Sequence, residues 1–439
     1  MASATSEAVE MENGVNGQDM ANAIRALAMD AVQKAASGHP GMPMGMADVA
    51  TVLFSQFLKY DASKPEWPDR DRFILSAGHG SMLIYALAYL TGYERMTLDQ
   101  IKNFRQIGYL TAGHPEVDVD CGIEMTTGPL GQGISTAVGF ALGERLMNAR
   151  YGDDLVDHHT YVIASDGDLM EGVSHEACSL AGHLGLDRLI VLYDDNGISI
   201  DGSTDLAFSD DSVKRFESYG WEARAIDGHD HDQIAEAIQA AKESNKPSLI
   251  CCRTTIGFGA PTKAGSAKSH GSPLGEEEIE GARAVLGWPH APFEIPAPIM
   301  DAWRQAGQTG KETREAWEMR HSTSSAEQKT SFDAAQSRTL PADLSDQVAA
   351  FKSAMVDERP KLATRAASGK VLEKLTAIVP GMIGGSADLT GSVNTLVPGM
   401  EDVAATNYGG RYIRYGVREH GMAAVMNGMA LHGGTIPYG

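Results

Sequence analysis

Two apolar stretches, Tyr161-Val-Ile-Ala-Ser-Asp-Gly-Asp168 and Leu189-Ile-Val-Leu-Tyr-Asp-Asp-Asn-Gly197, each predict a β-strand followed by acidic residues and a glycine. A helix-like segment at residues 171–184 lies between them, and further strand-like runs follow at 223–226 and 249–252. Strands that alternate with helices are typical of a parallel sheet covered by helices on both faces. The sequence therefore predicts an α/β fold built on a doubly wound parallel sheet.

Asp166 and Asn196 follow the first two predicted strands. The carboxyl ends of the strands in a right-handed βαβ unit open onto one edge of the sheet, so these two side chains should converge. Carboxylate, amide and backbone carbonyl oxygens are ligands suited to Mg²⁺, and Gly167 allows the backbone to approach a diphosphate closely. Taken alone, either residue is more simply explained as a turn former.

The length of 439 residues indicates at least two domains, because it exceeds what one hydrophobic core usually supports. The sequence between about residues 289 and 343 is charged and rich in Ser, Thr and Gln, which is typical of an interdomain connection. We predict a disordered tail at 1–17, a first domain at 18–310 and a linker at 311–347. A second α/β domain at 348–439 is expected to be incomplete.

Charge and composition exclude several classes of function. The chain carries 36 basic and 58 acidic side chains, and the resulting formal charge of -22 opposes binding to nucleic acids and anionic membranes. The four cysteines show no CxxC spacing, no apolar stretch is long enough to span a membrane, and the start lacks the basic residues of a targeting signal. We therefore predict a cytoplasmic protein.

Four histidines lie beside glycine or proline in predicted loops, where functional residues are more common than in a core. The loop sequences are Ser-Gly-His39-Pro-Gly, Ala-Gly-His79-Gly, Gly-His114-Pro and Ser-His270-Gly. One such histidine is more often an ordinary surface residue. Four of them, on a chain that also carries the Asp166–Asn196 spacing, predict a functional site.

The thirty-residue spacing from Asp166 to Asn196 resembles the thiamine-diphosphate signature, in which Gly-Asp-Gly is followed by a helix and an Asn. Ser165 replaces the first glycine of that pattern. Together with the histidine loops and the run Gly128-Pro-Leu-Gly-Gln-Gly133, the sequence from residue 20 to the end resembles transketolase. The resemblance implies an enzyme that reversibly transfers a two-carbon ketol unit from a ketose phosphate to an aldose phosphate, through a carbanion held on thiamine diphosphate.

The resemblance also implies the roles of individual residues. The metal, Mg²⁺ or another divalent ion such as Ca²⁺, would be bound by Asp166, Asn196 and the Ile198 carbonyl. His39, His114 and His270 would face the ketose and acceptor oxygens, where imidazoles can exchange protons. The residues expected around thiamine diphosphate are Gly167, His79, Gly128, Pro129, Leu130, Asn196 and His270.

The second predicted domain contains two further strings that resemble the family, Gly384-Gly-Ser-Ala-Asp-Leu389 and Tyr415-Gly-Val-Arg-Glu-His-Gly-Met422. The resemblance implies that Glu419 contacts the aminopyrimidine ring of the cofactor and that Arg365 and Ser392 bind the substrate phosphate. An arginine suits that role because its fork of donors matches phosphate oxygens. A homodimer with two interfacial sites is implied as well.

Family members are expected to continue past Gly439, so we predict that this chain alone binds cofactor weakly and turns over poorly. Two alternatives remain open. Dihydroxyacetone synthase shares most of these motifs and uses formaldehyde as the acceptor. A non-catalytic cofactor-binding fragment is the other alternative, while deoxyxylulose-phosphate synthase fits the Ser37–Gly41 string less well.

Overall fold

The computed structural model describes residues 14–439, so most of the tail predicted at 1–17 lies outside the described residues. Residues 14–17, the part of the predicted tail that the structure describes, lead directly into a packed helix. Val15 is buried, and Asn16 caps a helix that begins at Gly17 by accepting a hydrogen bond from the Asp19 amide at 2.9 Å. The tail prediction therefore extends too far, because the cap residue was counted as part of it.

Eighteen α-helices occur in the described part of the chain. They are α1 Gly17–Ala35, α2 Gly41–Gly45, α3 Ala47–Val52, α4 Met82–Thr91, α5 Leu98–Lys102, α6 Gln132–Tyr151, α7 Asp166–Met170, α8 Gly172–Leu184, α9 Ser212–Ser218, α10 His231–Glu243, α11 Glu276–Val285, α12 Ala297–Ala306, α13 Lys311–Thr323, α14 Ala326–Gln336, α15 Leu344–Glu358, α16 Thr364–Ile378, α17 Thr390–Val393 and α18 Glu419–His432. A π-helical turn at Leu53–Phe57 continues α3.

Ten strands accompany these helices among the described residues. They are β1 Arg72–Leu75, β2 Thr160–Ser165, β3 Leu189–Asp195, β4 Ile198–Ser199, β5 Gly202–Ser203, β6 Glu222–Asp227, β7 Ser248–Arg253, β8 Met382–Ser386, β9 Tyr412–Arg414 and β10 Ile436–Tyr438. The main sheet has the order β1-β2-β3-β7-β6, and all its pairs are parallel. The predicted parallel sheet is thus confirmed.

Both faces of the main sheet are buried, and alternate residues of each strand enter different core layers. On β2, Tyr161 and Ile163 pack with α1, α3 and α10, whereas Val162 and Ala164 pack with α6 and α8. Helices therefore cover the sheet on both sides, as a doubly wound fold requires. The carboxyl ends of β2 and β3 lie side by side, with Ser165 opposite Asp194.

The segment predicted as a linker consists mainly of helices. Trp317 of α13 and Phe332 of α14 are buried in a small cluster with Trp67, Met147 and Tyr151. The Trp317 indole donates a hydrogen bond to the Leu155 carbonyl at 3.0 Å. These two helices therefore pack on the surface of the main-sheet unit, and we call residues 17–336 the five-stranded unit.

Residues 364–439 form a second, smaller α/β unit, here called the three-stranded unit. Its parallel sheet has the order β10-β8-β9. The unit contacts the five-stranded unit mainly through α18, which crosses α6 at a very close approach. A β-carbon added at Gly139 of α6 would lie 2.1 Å from the Val425 carbonyl oxygen, so only glycine fits there.

A buried pair of imidazoles adds a polar contact between the two units. The Nε2 atoms of His158 and His432 lie 2.9 Å apart, and the His158 Nδ1 atom lies 3.1 Å from Asp69 Oδ1. Burial lowers the pKa of both histidines.

Among the described residues all four cysteines are free and buried, and no helix is long and apolar enough to cross a membrane.

Candidate active site

A cavity of about 500 Å³ opens at the carboxyl edge of the main sheet. Parallel α/β sheets bind ligands at this edge, because the loops that follow the strands meet there. Ten of the residues expected to act line it: His39, His79, His114, Gly128, Leu130, Asp166, Gly167, Asn196, Ile198 and His270. Met42, Ser165, Ser199, Ile200, Asp201 and Ile256 complete the lining. Apart from Ser165, which occupies the first position of the thiamine signature, no motif in the sequence singles out these additional residues.

Asp166 lies at the first position of α7, directly after β2, and only 4% of its surface is exposed. The Tyr193 hydroxyl donates a hydrogen bond to Asp166 Oδ1. Its other oxygen, Oδ2, is buried without a hydrogen-bond partner in the described part of the chain. Burial raises the pKa of Asp166 to about 6, and the nearby Asp195 acts in the same direction. A buried acceptor without a partner is costly, so this oxygen is poised to receive a ligand.

Asn196 follows β3, and both ends of its amide are engaged. Its Nδ2 atom donates to Asp194 Oδ2 at 2.7 Å, while its Oδ1 atom accepts from the Ile198 amide at 2.9 Å. Ile198 then begins a short antiparallel hairpin with Ser203 opposite. The loop after β3 therefore brings Asn196 and Ile198 to the cavity beside Asp166.

Asp168 organises the edge of the cavity, although the sequence assigned it no role. Its Oδ1 atom accepts from the Ser76 hydroxyl at 2.7 Å and the Gly131 amide at 2.8 Å. Its Oδ2 atom accepts from both the amide and the hydroxyl of Ser165 at 2.9 Å. Ser165 thus caps α7, which explains why a serine is accommodated where the thiamine signature has a glycine.

The four loop histidines gather at one side of the cavity. The ring of His39 lies 5.3 Å from that of His79 and 5.6 Å from that of His270, and His79 and His270 are stacked at 5.1 Å. His114 lies 6.4 Å from His39. Only the tertiary fold brings these loops together, because they are distant in sequence.

Burial and mutual repulsion keep these imidazoles neutral. Burial lowers the pKa of His39 to about 4 and that of His79 to about 3, and the neighbouring imidazoles add to both effects. The pKa values of His114 and His270 are also lowered by burial. Arg105 Nη2 lies 3.5 Å from His39 Nδ1, which assigns the proton of neutral His39 to Nε2.

Four of the predicted site residues do not line this cavity. Pro129 is exposed beside Gly128. Glu419 at the start of α18, Arg365 in α16 and Ser392 in α17 are exposed on the three-stranded unit. Within one chain, the three site residues predicted in the second domain therefore lie outside the cavity that the first-domain residues line.

The donor set in the cavity suits a hard cation shared with a diphosphate group. Within residues 14–439, no group of three or more His, Cys, Asp or Glu side chains is arranged to hold a metal ion. A metal here would need amide and carbonyl oxygens beside the one carboxylate, together with oxygens from its ligand. Mg²⁺ commonly binds in this way, through one or two carboxylates and substrate phosphates.

Comparison with known proteins assigns this architecture. The family model described as the transketolase thiamine diphosphate binding domain matches residues 16–342, and the model described as the transketolase pyrimidine binding domain matches residues 360–439. The chain belongs to the transketolase family. A transketolase from Cereibacter sphaeroides is 59% identical over 420 residues, which are 96% of this chain and 64% of that protein. One from Sinorhizobium medicae is 52% identical over 434 residues, 99% of this chain and 62% of that protein.

Solved transketolase structures match the fold as well. The transketolase from Leishmania mexicana superposes with a TM-score of 0.90 at 41% identity, covering 96% of this chain and 64% of that one. The transketolase from Campylobacter jejuni superposes with a TM-score of 0.87 at 41% identity, with the same coverage of both chains. The chain thus spans a little under two thirds of the length of these relatives.

Proposed function

We propose that this chain acts in a transketolase reaction, the reversible transfer of a two-carbon ketol unit from a ketose phosphate to an aldose phosphate. The observation that carries the proposal is the cavity at the carboxyl edge of the main sheet. There, four neutral histidines and the buried carboxylate of Asp166 line one cavity, and the Oδ2 atom of Asp166 has no partner among the described residues.

The residues at this edge fit thiamine diphosphate and Mg²⁺. Asp166, Asn196 and the Ile198 carbonyl would bind Mg²⁺ or another divalent ion such as Ca²⁺. When bound, thiamine diphosphate supplies a carbon nucleophile for the ketose carbonyl and delocalises the negative charge left when the neighbouring bond breaks. The residues proposed to surround it are Gly167, His79, Gly128, Pro129, Leu130, Asn196 and His270.

His39, His114 and His270 would bind the sugar hydroxyl and carbonyl oxygens. A neutral imidazole has one nitrogen that donates and one that accepts, so it can hold a hydroxyl, and it can take the hydroxyl proton only where its bare nitrogen faces the substrate. On His39, Nε2 carries the proton in the free protein and is therefore the donor toward a substrate oxygen. The low pKa values of the free site are expected to rise when an anionic sugar phosphate is bound.

We propose that a homodimer completes the site. Glu419, Arg365 and Ser392 are exposed and outside the cavity of their own chain, so a second copy would have to bring them there. Contacts of the neighbouring residues hold the start of α18: His420 lies 2.9 Å from Gln132, and the Gly421 amide donates to Glu176 at 2.7 Å. Glu419 would hydrogen-bond the aminopyrimidine ring of the cofactor, and Arg365 and Ser392 would bind substrate phosphate.

Sugar phosphates are the proposed substrates. Transketolases from Pichia stipitis have been solved as complexes with fructose 6-phosphate and with sedoheptulose 7-phosphate, at 40% identity to this chain. A role in the pentose phosphate pathway in the cytoplasm follows from this proposal. The domain boundaries at 310 and 347 remain predictions.

A coupled assay tests the reaction. The purified chain, with thiamine diphosphate and Mg²⁺, is offered a ketose phosphate donor with either ribose 5-phosphate or formaldehyde as acceptor. We expect faster transfer to ribose 5-phosphate than to formaldehyde. Preference for formaldehyde would favour the dihydroxyacetone synthase alternative, and cofactor binding without any transfer would favour the non-catalytic one.

A further inference from the structure

The side-chain amide of Asn196 has two ends of the same shape but opposite polarity. Only the Oδ1 end binds a cation, whereas the Nδ2 end repels it. Nothing in the amide itself selects between the two orientations. In the structure two contacts select the orientation: Asn196 Oδ1 accepts a hydrogen bond from the Ile198 amide at 2.9 Å, and Asn196 Nδ2 donates one to Asp194 Oδ2 at 2.7 Å.

Asp194 is itself held rigidly. It is fully buried near the end of β3, and its Oδ1 atom accepts a hydrogen bond from the hydroxyl of Thr254, which follows β7. The two residues meet because β3 and β7 pair in parallel, with Asp194 opposite Cys252. The Thr254 methyl group packs against Gly228, where an added β-carbon would lie only 2.6 Å from Cγ2. This packing keeps the hydroxyl turned toward Asp194.

The backbone after Thr254 is fixed from the interior of the protein. His229 Nε2 accepts a hydrogen bond from the Thr255 amide at 2.9 Å. The His229 proton must therefore lie on Nδ1, which donates to Asp48 Oδ2 at 2.8 Å. Asp48 is fully buried and forms an ion pair with the buried guanidinium of Arg25 at 2.5 Å. A chain of contacts thus runs from the buried Arg25–Asp48 ion pair, through the half-buried His229 and the backbone at 254–255, to the amide of Asn196.

We propose that Asp194, held by Thr254, is a positioning residue that keeps the Asn196 oxygen available to the divalent cation. This inference rests on the proposed function, since it assumes that Asn196 is a metal ligand. Residues that orient a metal ligand typically change metal affinity about 10–100-fold when they are removed. The residue needed at position 194 is a hydrogen-bond acceptor; a negative charge is not required.

That distinction provides a matched set of variants. Asp194→Ala removes the acceptor for Asn196 Nδ2. Asp194→Asn keeps one, because its Oδ1 atom accepts from Asn196 while its Nδ2 atom donates to the Thr254 hydroxyl. Thr254→Val removes that second contact, so only the double variant Asp194→Asn with Thr254→Val leaves the new amide without a fixed orientation.

The probe is Mn²⁺ in the presence of thiamine diphosphate, with free Mn²⁺ measured by electron paramagnetic resonance. We expect affinity about 10–100-fold weaker in Asp194→Ala. Affinity within about threefold of the original chain is expected in Asp194→Asn, and clearly weaker affinity in the double variant. If Asp194 had only a structural role, Asp194→Asn would not retain Mn²⁺ affinity, and the added Thr254→Val change would not remove it.

Circular dichroism and urea unfolding identify any variant that fails to fold. If Asp194→Ala does not fold, the Mn²⁺ affinities of Asp194→Asn and of the double variant are compared instead. If the unmodified chain binds Mn²⁺ but Asp194→Ala or the folded double variant binds it equally well, the positioning role is wrong. If the unmodified chain binds no Mn²⁺ even with thiamine diphosphate, both the proposed function and this inference are wrong.

Discussion

The five-stranded and three-stranded units of this protein differ in how they present their functional residues. The five-stranded unit buries both faces of its sheet and encloses the cavity that holds the four histidines, Asp166 and Asn196. The three-stranded unit has short strands, its helix α16 has one buried residue, and α15, which precedes the unit, has none. Glu419, Arg365 and Ser392 lie on its exposed surface.

The difference indicates that the two units depend to different degrees on a second copy of the chain to bring their proposed site residues together. Within one chain, all proposed diphosphate and metal residues except Pro129 line one cavity, whereas the proposed pyrimidine and phosphate contacts lie outside it. The close contact between α6 and α18 fixes this arrangement, because it joins the units without bringing Glu419 to the cavity. Each prediction below tests one part of this contrast.

The largest effect is expected from Gly428→Val, which breaks the contact between the units. A β-carbon at Gly428 would lie 1.9 Å from the Thr136 carbonyl oxygen, and backbone atoms cannot move aside cheaply. We expect the free energy of unfolding to fall by at least about 3 kcal/mol, as for severe overpacking. Urea unfolding followed by tryptophan fluorescence and circular dichroism measures this loss.

The two probes also separate the units, because the five tryptophans are at positions 67, 221, 288, 303 and 317, all in the five-stranded unit. If α18 undocks first, the circular dichroism transition precedes the fluorescence transition. The matched control is Gly391→Ala in α17, where an added β-carbon meets nothing within 4 Å. Equal stability of Gly428→Val and the original chain would show that the close packing of α6 and α18 is wrong.

A smaller change in the free energy of unfolding, present only at acidic pH, is expected from His79→Gln in the five-stranded unit. Burial lowers the pKa of His79 to about 3 from 6.5, so the unfolded chain binds the proton more tightly. His79 therefore reduces stability as the pH falls from about 6.5 toward 3, and is without effect above that window. Relative to the original chain, the variant should gain on the order of 1–2 kcal/mol between pH 8 and pH 5.

Urea unfolding of the free protein at pH 8, 6 and 5 measures this difference. Taking differences between variant and original chain cancels the opposite contributions of buried carboxyl groups such as Asp166, whose pKa is raised. His183→Gln, which removes an exposed histidine from α8, is the control. A stability difference that does not change with pH would contradict the burial of a neutral histidine cluster.

The smallest effect is expected from Arg365→Ala and Ser392→Ala in the three-stranded unit. Both side chains are exposed, so each change should alter the free energy of unfolding by less than about 0.5 kcal/mol. Neither should change thiamine diphosphate binding by the chain, because neither residue lines the cavity. Isothermal titration together with urea unfolding checks both statements. A clear loss of cofactor affinity would show that these residues reach the cofactor and would contradict the separation of the two sets of residues.

Much of the five-stranded unit follows from local sequence. The strands predicted at 161–164, 189–193, 223–226 and 249–252 match β2, β3, β6 and β7 with short extensions at their ends. The apolar runs of β2, β3 and β7 identify these strands because both of their faces are buried, whereas the edge strand β6 is only half-buried. The first strand, β1, was missed. It begins at Arg72, whose charge argues against a buried strand. In the structure the Arg72 guanidinium is satisfied by a hydrogen bond that it donates to the Pro68 carbonyl at 2.8 Å.

The site was predictable as a set of residues but not as a geometry. Asp166, Asn196 and the histidine loops were singled out by their neighbours in the sequence, and the structure brings them to one cavity. The supporting contacts of Asp168 and Asp194 could not be predicted, because an aspartate after a strand is an ordinary turn former. Their partners Ser76, Gly131 and Thr254 lie far away in the chain.

Titration of the free chain with thiamine diphosphate, with and without Mg²⁺, tests the central claim most directly. The comparison is between the original chain, Asp166→Ala, and Asp201→Ala, which removes a different carboxylate from the same cavity. We predict Mg²⁺-dependent binding by the original chain and by Asp201→Ala, and binding at least about tenfold weaker in Asp166→Ala, a difference of about 1.4 kcal/mol. Equal binding by all three proteins, or binding indifferent to Mg²⁺, would contradict the assignment of the site.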